Sequence, residues 1–206
     1  MHPNPIFRQT PEARALAFAA LRSFGVLSVA AAGEVLLAHI PFLLEGDRLE
    51  AHLVRSNPIA RRLADGPLGA TLIVSGPDGY ISPDWYGEED LVPTWNYIAV
   101  HLAGTVALAP AAGLQAHLER LSARCEALLA PKAPWHHAKM SDGVMERMMR
   151  QILPIEMAVT GVESTFKLNQ NRSDSARDAA AAQLARGRTP GQETAALAGM
   201  MRQIGR

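Results

Sequence analysis

The spacing of apolar residues changes repeatedly along the chain, and each change predicts an element. Thr10, Pro11 and Glu12 read as a cap, a first-turn proline and a first-turn acid, followed by Leu16, Ala17, Ala20, Leu21 and Phe24 on one helical stripe. From Gly25 the period shortens to two. GVLSVA, VLLAHIPFLL and RLEAHLVR, separated by AAGE and EGD, predict a three-strand meander with tight turns. Asn57 and Pro58 open a helix, IARRLADG, that ends at Gly66 before the strand GATLIVSG. YISP and NYIAVHLAGTVAL add strands, the second alternating Ile98, Val100 and Leu102 against Tyr97, Ala99 and His101. Leu114, Leu118, Leu121, Cys125 and Leu128 recur at four and three residues, which predicts an amphipathic helix packed on the sheet with Cys125 buried in it. Ser141 is expected to cap a helix striped by Met145, Met148, Met149 and Ile152 and ended by Pro154, after which IEMAVTGVESTFKL alternates as a long strand. Beyond Arg172 the chain turns to Ala, Arg, Ser and Gln, and two short helices should start near Ser173 and Thr189. The expected class is mainly β with added α, a barrel of about six antiparallel strands with peripheral helices. Residues 1–172 form its domain and 173–206 a helical appendage of it.

Composition narrows the function. Twenty basic and twenty acidic residues leave no net charge, which argues against an autonomous nucleic-acid binder, whose basic excess would displace counterions. One cysteine among 206 residues excludes a disulfide framework and a cysteine-rich zinc site, and points to a reducing compartment. MHPNPIFRQT lacks the apolar core of a signal peptide and no later run is long enough to span a bilayer, so the expected location is cytoplasmic with no membrane attachment. GxGxxG, GxxxxGK[ST] and GxSxG are all absent. His39, His52 and His101 fall in strand patterns and His136 and His137 are adjacent, so none has the spacing of metal ligands and no metal is expected.

Three segments could carry chemistry. Arg55, Ser56 and Asn57 stand where a strand gives way to a helix; with Arg61 or Arg62 one turn on, they suit a phosphate, and equally a plain cap among solvated arginines. GPDGYISPDWY (76–86) and VPTWNYIAVH (92–101) hold two of the three tryptophans and all three tyrosines, interleaved with Thr94 and Asn96, which suits a flat polar ligand, a protein interface or a core. KLNQNR (167–172) sets two cations and three amides at a strand exit, suited to phosphate or ring carbonyls, or to a solvated loop.

Together with the HxP at His39 to Pro41, HLVRSNP at 52–58, the pair Lys139 and Met140, and FKLNQNR, these segments resemble the FMN-binding negative transcriptional regulators of the PaiB type. VPTWNY is the most specific match; Asn169 departs from the serine typical of the family. The resemblance, which runs from about Phe24 to Arg172, implies a split β-barrel of the pyridoxamine-phosphate-oxidase-like superfamily, a homodimer with FMN at the subunit interface. It implies phosphate contacts from Arg55, Ser56, Asn57 and Arg61 or Arg62, and a ring platform near Trp85 and Trp95. The ring edge falls to Thr94, Asn96 and backbone near Ile81 and Ser82, with Lys139, Lys167, Gln170 and Asn171 as further contacts.

Two functions stay open at this point. One is a flavin-dependent sensor or repressor, with direct DNA binding weakly supported. The other is an FMN-dependent oxidoreductase, a flavin reductase or pyridoxamine-phosphate-oxidase-like enzyme drawing electrons from a nicotinamide or small donor. No catalytic residue stands out for either.

Overall fold

The computed structural model describes residues 1–187 and 189–205. Its α-helices are α1 (Glu12–Arg22), α2 (Pro58–Leu63), α3 (Leu114–Ala127), α4 (Val144–Met149), α5 (Asp174–Arg186) and α6 (Thr194–Met201). Its strands are β1 (Phe24–Ala31), β2 (Glu34–Glu45), β3 (Arg48–Val54), β4 (Leu68–Ile81), β5 (Thr94–Leu108) and β6 (Ile152–Lys167). The strands close into a barrel in the order β1-β2-β3-β6-β5-β4. The class is therefore mainly β with added α, as the alternation predicts.

By contacts the chain divides into two units. One comprises Leu16–Ile73 and Leu102–Val162 and so holds part of every strand. Its meander follows the predicted turns: β1 pairs antiparallel with β2, from Phe24↔Pro41 to Ala31↔Glu34, and β2 with β3, from Phe42↔Ala51 to Glu45↔Arg48. Gly33 and Gly46 take the positive φ those tight turns need. β3 then pairs with β6, from Arg48↔Ala158 to Val54↔Ile152, and Leu49, Ala51 and Leu53 point inward beside Ile155 and Met157. Gly104 lies so close to β6 that a Cβ added there would sit 2.0 Å from the carbonyl oxygen of Ala158.

The other unit comprises Met1–Ala15, Val74–His101 and the chain from Glu163 onward. Buried Ile81, Ile98, Phe166 and Leu168 form its core with the side chains of the last two helices. Ser173 caps α5 as expected, and α6 begins at Thr194, later than the anticipated Thr189. Gly79 leaves room for Leu184 and Leu197, and the Tyr80 amide donates to Gln192 Oε1 at 3.1 Å. Arg177, almost fully buried, donates to Asp174 and to the Ile204 carbonyl.

Several local expectations need correction. GPDG does not break the chain: β4 runs through it, and its alternation changes phase where Gly76 and Pro77 are both buried. In α1 the buried positions are Ala15 and Ala19 while Leu21 is exposed, so the small side chains face the protein; Phe24, expected on the same stripe, instead starts β1 and is exposed. In α3 the inner stripe is Leu114, His117 and Leu121; Cys125 and Leu128 are exposed, because only one of two overlapping apolar faces meets the barrel. α4 is preceded by Gly143 in a left-handed conformation, not capped by Ser141, and buries none of its residues. Pro154 lies within β6, opposite His52, instead of ending a helix.

Candidate functional site

Each predicted binding segment turns out to be a strand exit or a strand start. After β3, the Asn57 amide N–H donates to the Val54 carbonyl, and the Asn57 side chain accepts from the Ile59 amide at 2.8 Å. Asn57 thus caps α2. Arg55 Nε donates to the Arg150 carbonyl at 2.6 Å, which ties the turn to the segment before β6. The rest of its guanidinium stands by a cavity of about 360 Å³ shared with Gln115, Glu146 and Arg150. Ser56, Arg61 and Arg62 are exposed. This turn presents one hydroxyl and three cations on a single short stretch, a donor set that matches a phosphate.

In the other unit, Thr94 and Trp95 at the start of β5 meet Lys167 at the end of β6. Lys167 Nζ donates to Thr94 Oγ1 and to the Trp95 carbonyl, the latter at 2.9 Å, and lies 5.9 Å from the centre of the Phe7 ring. Burial lowers the Lys167 pKa from its ordinary value. Beside this ammonium, Trp95 and Tyr80 make an edge-to-face pair 6.3 Å apart and both remain exposed. Exposed aromatic faces next to a held cation and a hydroxyl are what a polar planar ring requires.

The remaining predicted residues divide. Ile81 is fully buried, Ser82 caps a short turn by accepting from the Asp84 amide at 3.4 Å, and Trp85 is half-buried on that turn. Asn96 is also fully buried; its Nδ2 donates to the Met201 sulfur at 3.6 Å and its Oδ1 has no hydrogen-bond partner. Gln170 closes its own turn, accepting from the Leu168 amide at 2.7 Å and donating to the Phe166 carbonyl. Asn171 is exposed. Lys139 lies in the segment after α3 and donates to the Pro134 carbonyl at 3.3 Å.

Sequence reasoning passed over His117 and noted Asn169 only as a departure from the family pattern. Asn169 sits at φ 62°, a left-handed conformation that asparagine tolerates better than most residues, and is buried with its Nδ2 lacking a hydrogen-bond partner. Burial raises the Tyr86 pKa. His117 lies on the buried face of α3, where its Nε2 is 3.3 Å from His52 Nδ1 and its Nδ1 is 3.7 Å from Glu50, which also pairs with Arg120 and Arg48. Burial, and then the neighbouring His52, hold the His117 pKa down to about 4; burial alone lowers that of His52. The signal for His117 was its spacing, three residues after Leu114 and four before Leu121. Among the described residues no group of three His, Cys, Asp or Glu side chains is placed to hold a metal, and no helix is long and apolar enough to cross a membrane.

Comparison with known proteins points to a flavin-binding family. A family model described as "Putative FMN-binding domain" matches residues 1–161. The Bacillus subtilis protein named Protease synthase and sporulation protein PAI 2 is 28% identical over 156 residues, covering 74% of this chain and 73% of its own. Among solved structures, the FAD and heme binding protein from Mycobacterium smegmatis superposes with a TM-score of 0.57 at 16% identity, covering 82% of this chain and 78% of that one. The conserved hypothetical protein Rv2991 from Mycobacterium tuberculosis gives 0.58 at 12% identity, covering 81% and 91%. At those identities the two structures share the fold.

Proposed function

The chain belongs to the FMN-binding domain family, with a flavin as cofactor, and on that premise we propose that it is a flavin-dependent sensor or repressor of transcription in the cytoplasm. The observation that carries the placement of the flavin is the Lys167 ammonium, fixed on Thr94 and Trp95 beside the exposed faces of Trp95 and Tyr80.

In this reading Ser56 and the guanidinium groups of Arg55, Arg61 and Arg62 hold the phosphate. Asn57 shapes their turn through its backbone N–H and its Oδ1, and its side-chain Nδ2 is the group offered to the ligand. Trp95 and Trp85 supply faces to the ring, while Thr94, Lys167 and the backbone at Ile81 and Ser82 supply its polar edge. Asn96 acts from the inside, fixing the start of β5, and Gln170 holds the turn that presents Lys167 and the exposed amide of Asn171. Lys139 contributes charge from its own segment. Bound FMN supplies a two-electron redox centre and a chromophore.

The regulatory half of the proposal draws on the resemblance to PaiB-type regulators and on the name of the Bacillus subtilis relative. With no net charge the chain acts through a partner more readily than by gripping DNA itself. A homodimer is supported by the outer face of the β1–β2 hairpin, where Phe24, Val35 and Leu37 are all exposed.

The absorption spectrum of the purified protein with added FMN, followed by anaerobic NADH and NADPH, tests the function. A bound flavin band near ~450 nm that resists both donors is expected of a sensor. Bleaching would turn the reading to an oxidoreductase, and no band would overturn flavin binding. Lys167→Met should weaken FMN at least about tenfold, the scale of one charged hydrogen bond.

A further inference from the structure

The segment after α3 has little regular structure, yet two carboxylates strap it to that helix. Glu126, near the end of α3, accepts from the Trp135 amide at 2.8 Å and from Lys132, and these bonds lower its pKa. Two helical turns earlier, Glu119 Oε1 lies 3.3 Å from His137 Nδ1. Beside these contacts Ser122, Ala123 and Ala127 keep the helix surface low, and Trp135, His136 and His137 face it across a cavity of about 220 Å³. The walls are mainly apolar, completed by Leu118 and Met145. None of these residues belongs to the flavin proposal.

The polar groups in this cavity have defined roles. His136 Nδ1 accepts from the Ala138 amide at 3.2 Å, so in the neutral ring the proton resides on Nε2, which donates. His137 Nδ1 is buried without an aligned hydrogen-bond partner, but the Glu119 carboxylate beside it favours the proton there, leaving Nε2 to accept. The two imidazoles lie 4.1 Å apart between centroids and are tilted by 36°. A donor and an acceptor therefore stand side by side, next to an indole and the Ser122 hydroxyl, in a space sized for one ring and its substituent.

We propose that this cavity is a second ligand site, selective for an uncharged, single-ring planar molecule whose edge carries an amide, as a carboxamide or a lactam. The amide N–H donates to His137, its carbonyl accepts from His136, and the ring packs against Trp135 and the alanine floor. Carboxylates are disfavoured because the Glu119 carboxylate lines the same cavity, and plain hydrocarbons leave the Nε2 atoms of both imidazoles unpaired.

The test uses full-length protein loaded with FMN, and the same protein stripped of it, titrated with benzamide, nicotinamide and 2-pyridone. Binding is followed by NMR at the Trp135 indole N–H. The expected result is a saturable shift with a Kd of about 1 mM or tighter in both forms, with toluene and benzoate at least about tenfold weaker. His137→Phe, which keeps a ring and removes the acceptor, should weaken benzamide about tenfold, and Ala123→Phe should fill the cavity and abolish the shift. Unfolding midpoints of both variants identify any folding defect. The absence of a saturable shift in the unsubstituted protein overturns the proposal. So does equal binding of toluene and benzamide, or benzamide binding that survives both substitutions.

Discussion

Two strand exits in this molecule are written in similar residues and are used in opposite ways. After β3 the turn Arg55 to Asn57 engages its amide, Asn57, as a cap and leaves Ser56, Arg61 and Arg62 facing solvent. After β6 the turn from Lys167 to Arg172 engages Gln170 on its own backbone and also turns its first cation inward, onto Thr94 and the Trp95 carbonyl. In both, short polar side chains satisfy backbone groups first, since an unpaired buried N–H or C=O costs more than a solvated amide gains. What remains for a ligand is the cation: at the first exit Arg55 is tied to the Arg150 carbonyl while Arg61 and Arg62 stay exposed, and at the second Lys167 is held on Thr94 and Trp95.

The difference can be broken experimentally. Arg55→Ala removes the proposed phosphate contact together with the bond to the Arg150 carbonyl and should weaken FMN by about 1.5–3 kcal/mol in an equilibrium titration without unfolding the protein; unchanged FMN affinity would take Arg55 out of the site. On β3 itself, His52 and His117 engage each other, and the stability curve with pH should show it. Because the His117 pKa is about 4 in the fold and near 6.5 unfolded, the unfolded state binds the proton first as pH falls. Stability should therefore drop by about 3 kcal/mol from above pH 6.5 to pH 4, and His117→Gln should flatten that part of the curve. The smallest effects belong to the capping amides. Gln170→Leu and Asn57→Ala should each cost about 1 kcal/mol in chemical denaturation while saturating FMN affinity changes less than in Arg55→Ala. A larger loss of affinity than of stability for Gln170→Leu would show a direct contact with the flavin.

How much of this was legible in the sequence depended on whether the deciding partner was local. The tight turns at Gly33 and Gly46, the Asn57 cap with Pro58, and the alternation from Asn96 to Leu102 all depend on neighbours within a few residues, and all were readable. The passage of β4 through Gly76 and Pro77 was not, because local signals there say turn and only pairing keeps the strand going. The wrong stripe in α3 has the same origin. Leu118, Cys125 and Leu128 are as apolar as Leu114 and Leu121, and only the barrel decides which face is covered. For the site, the cation and aromatic content was visible in advance, whereas the bond from Lys167 to Thr94 spans 73 residues and has no local trace.

The close approach at Gly104 sets a limit on how this protein can be altered. A library randomised at that position and selected for folded protein should return glycine almost alone, since even alanine would drive its methyl into a carbonyl of the next strand. The neighbouring exposed position Ala103 should accept many residues. That one-atom boundary makes the pair a ready reference for judging whether any redesigned barrel has kept its closure.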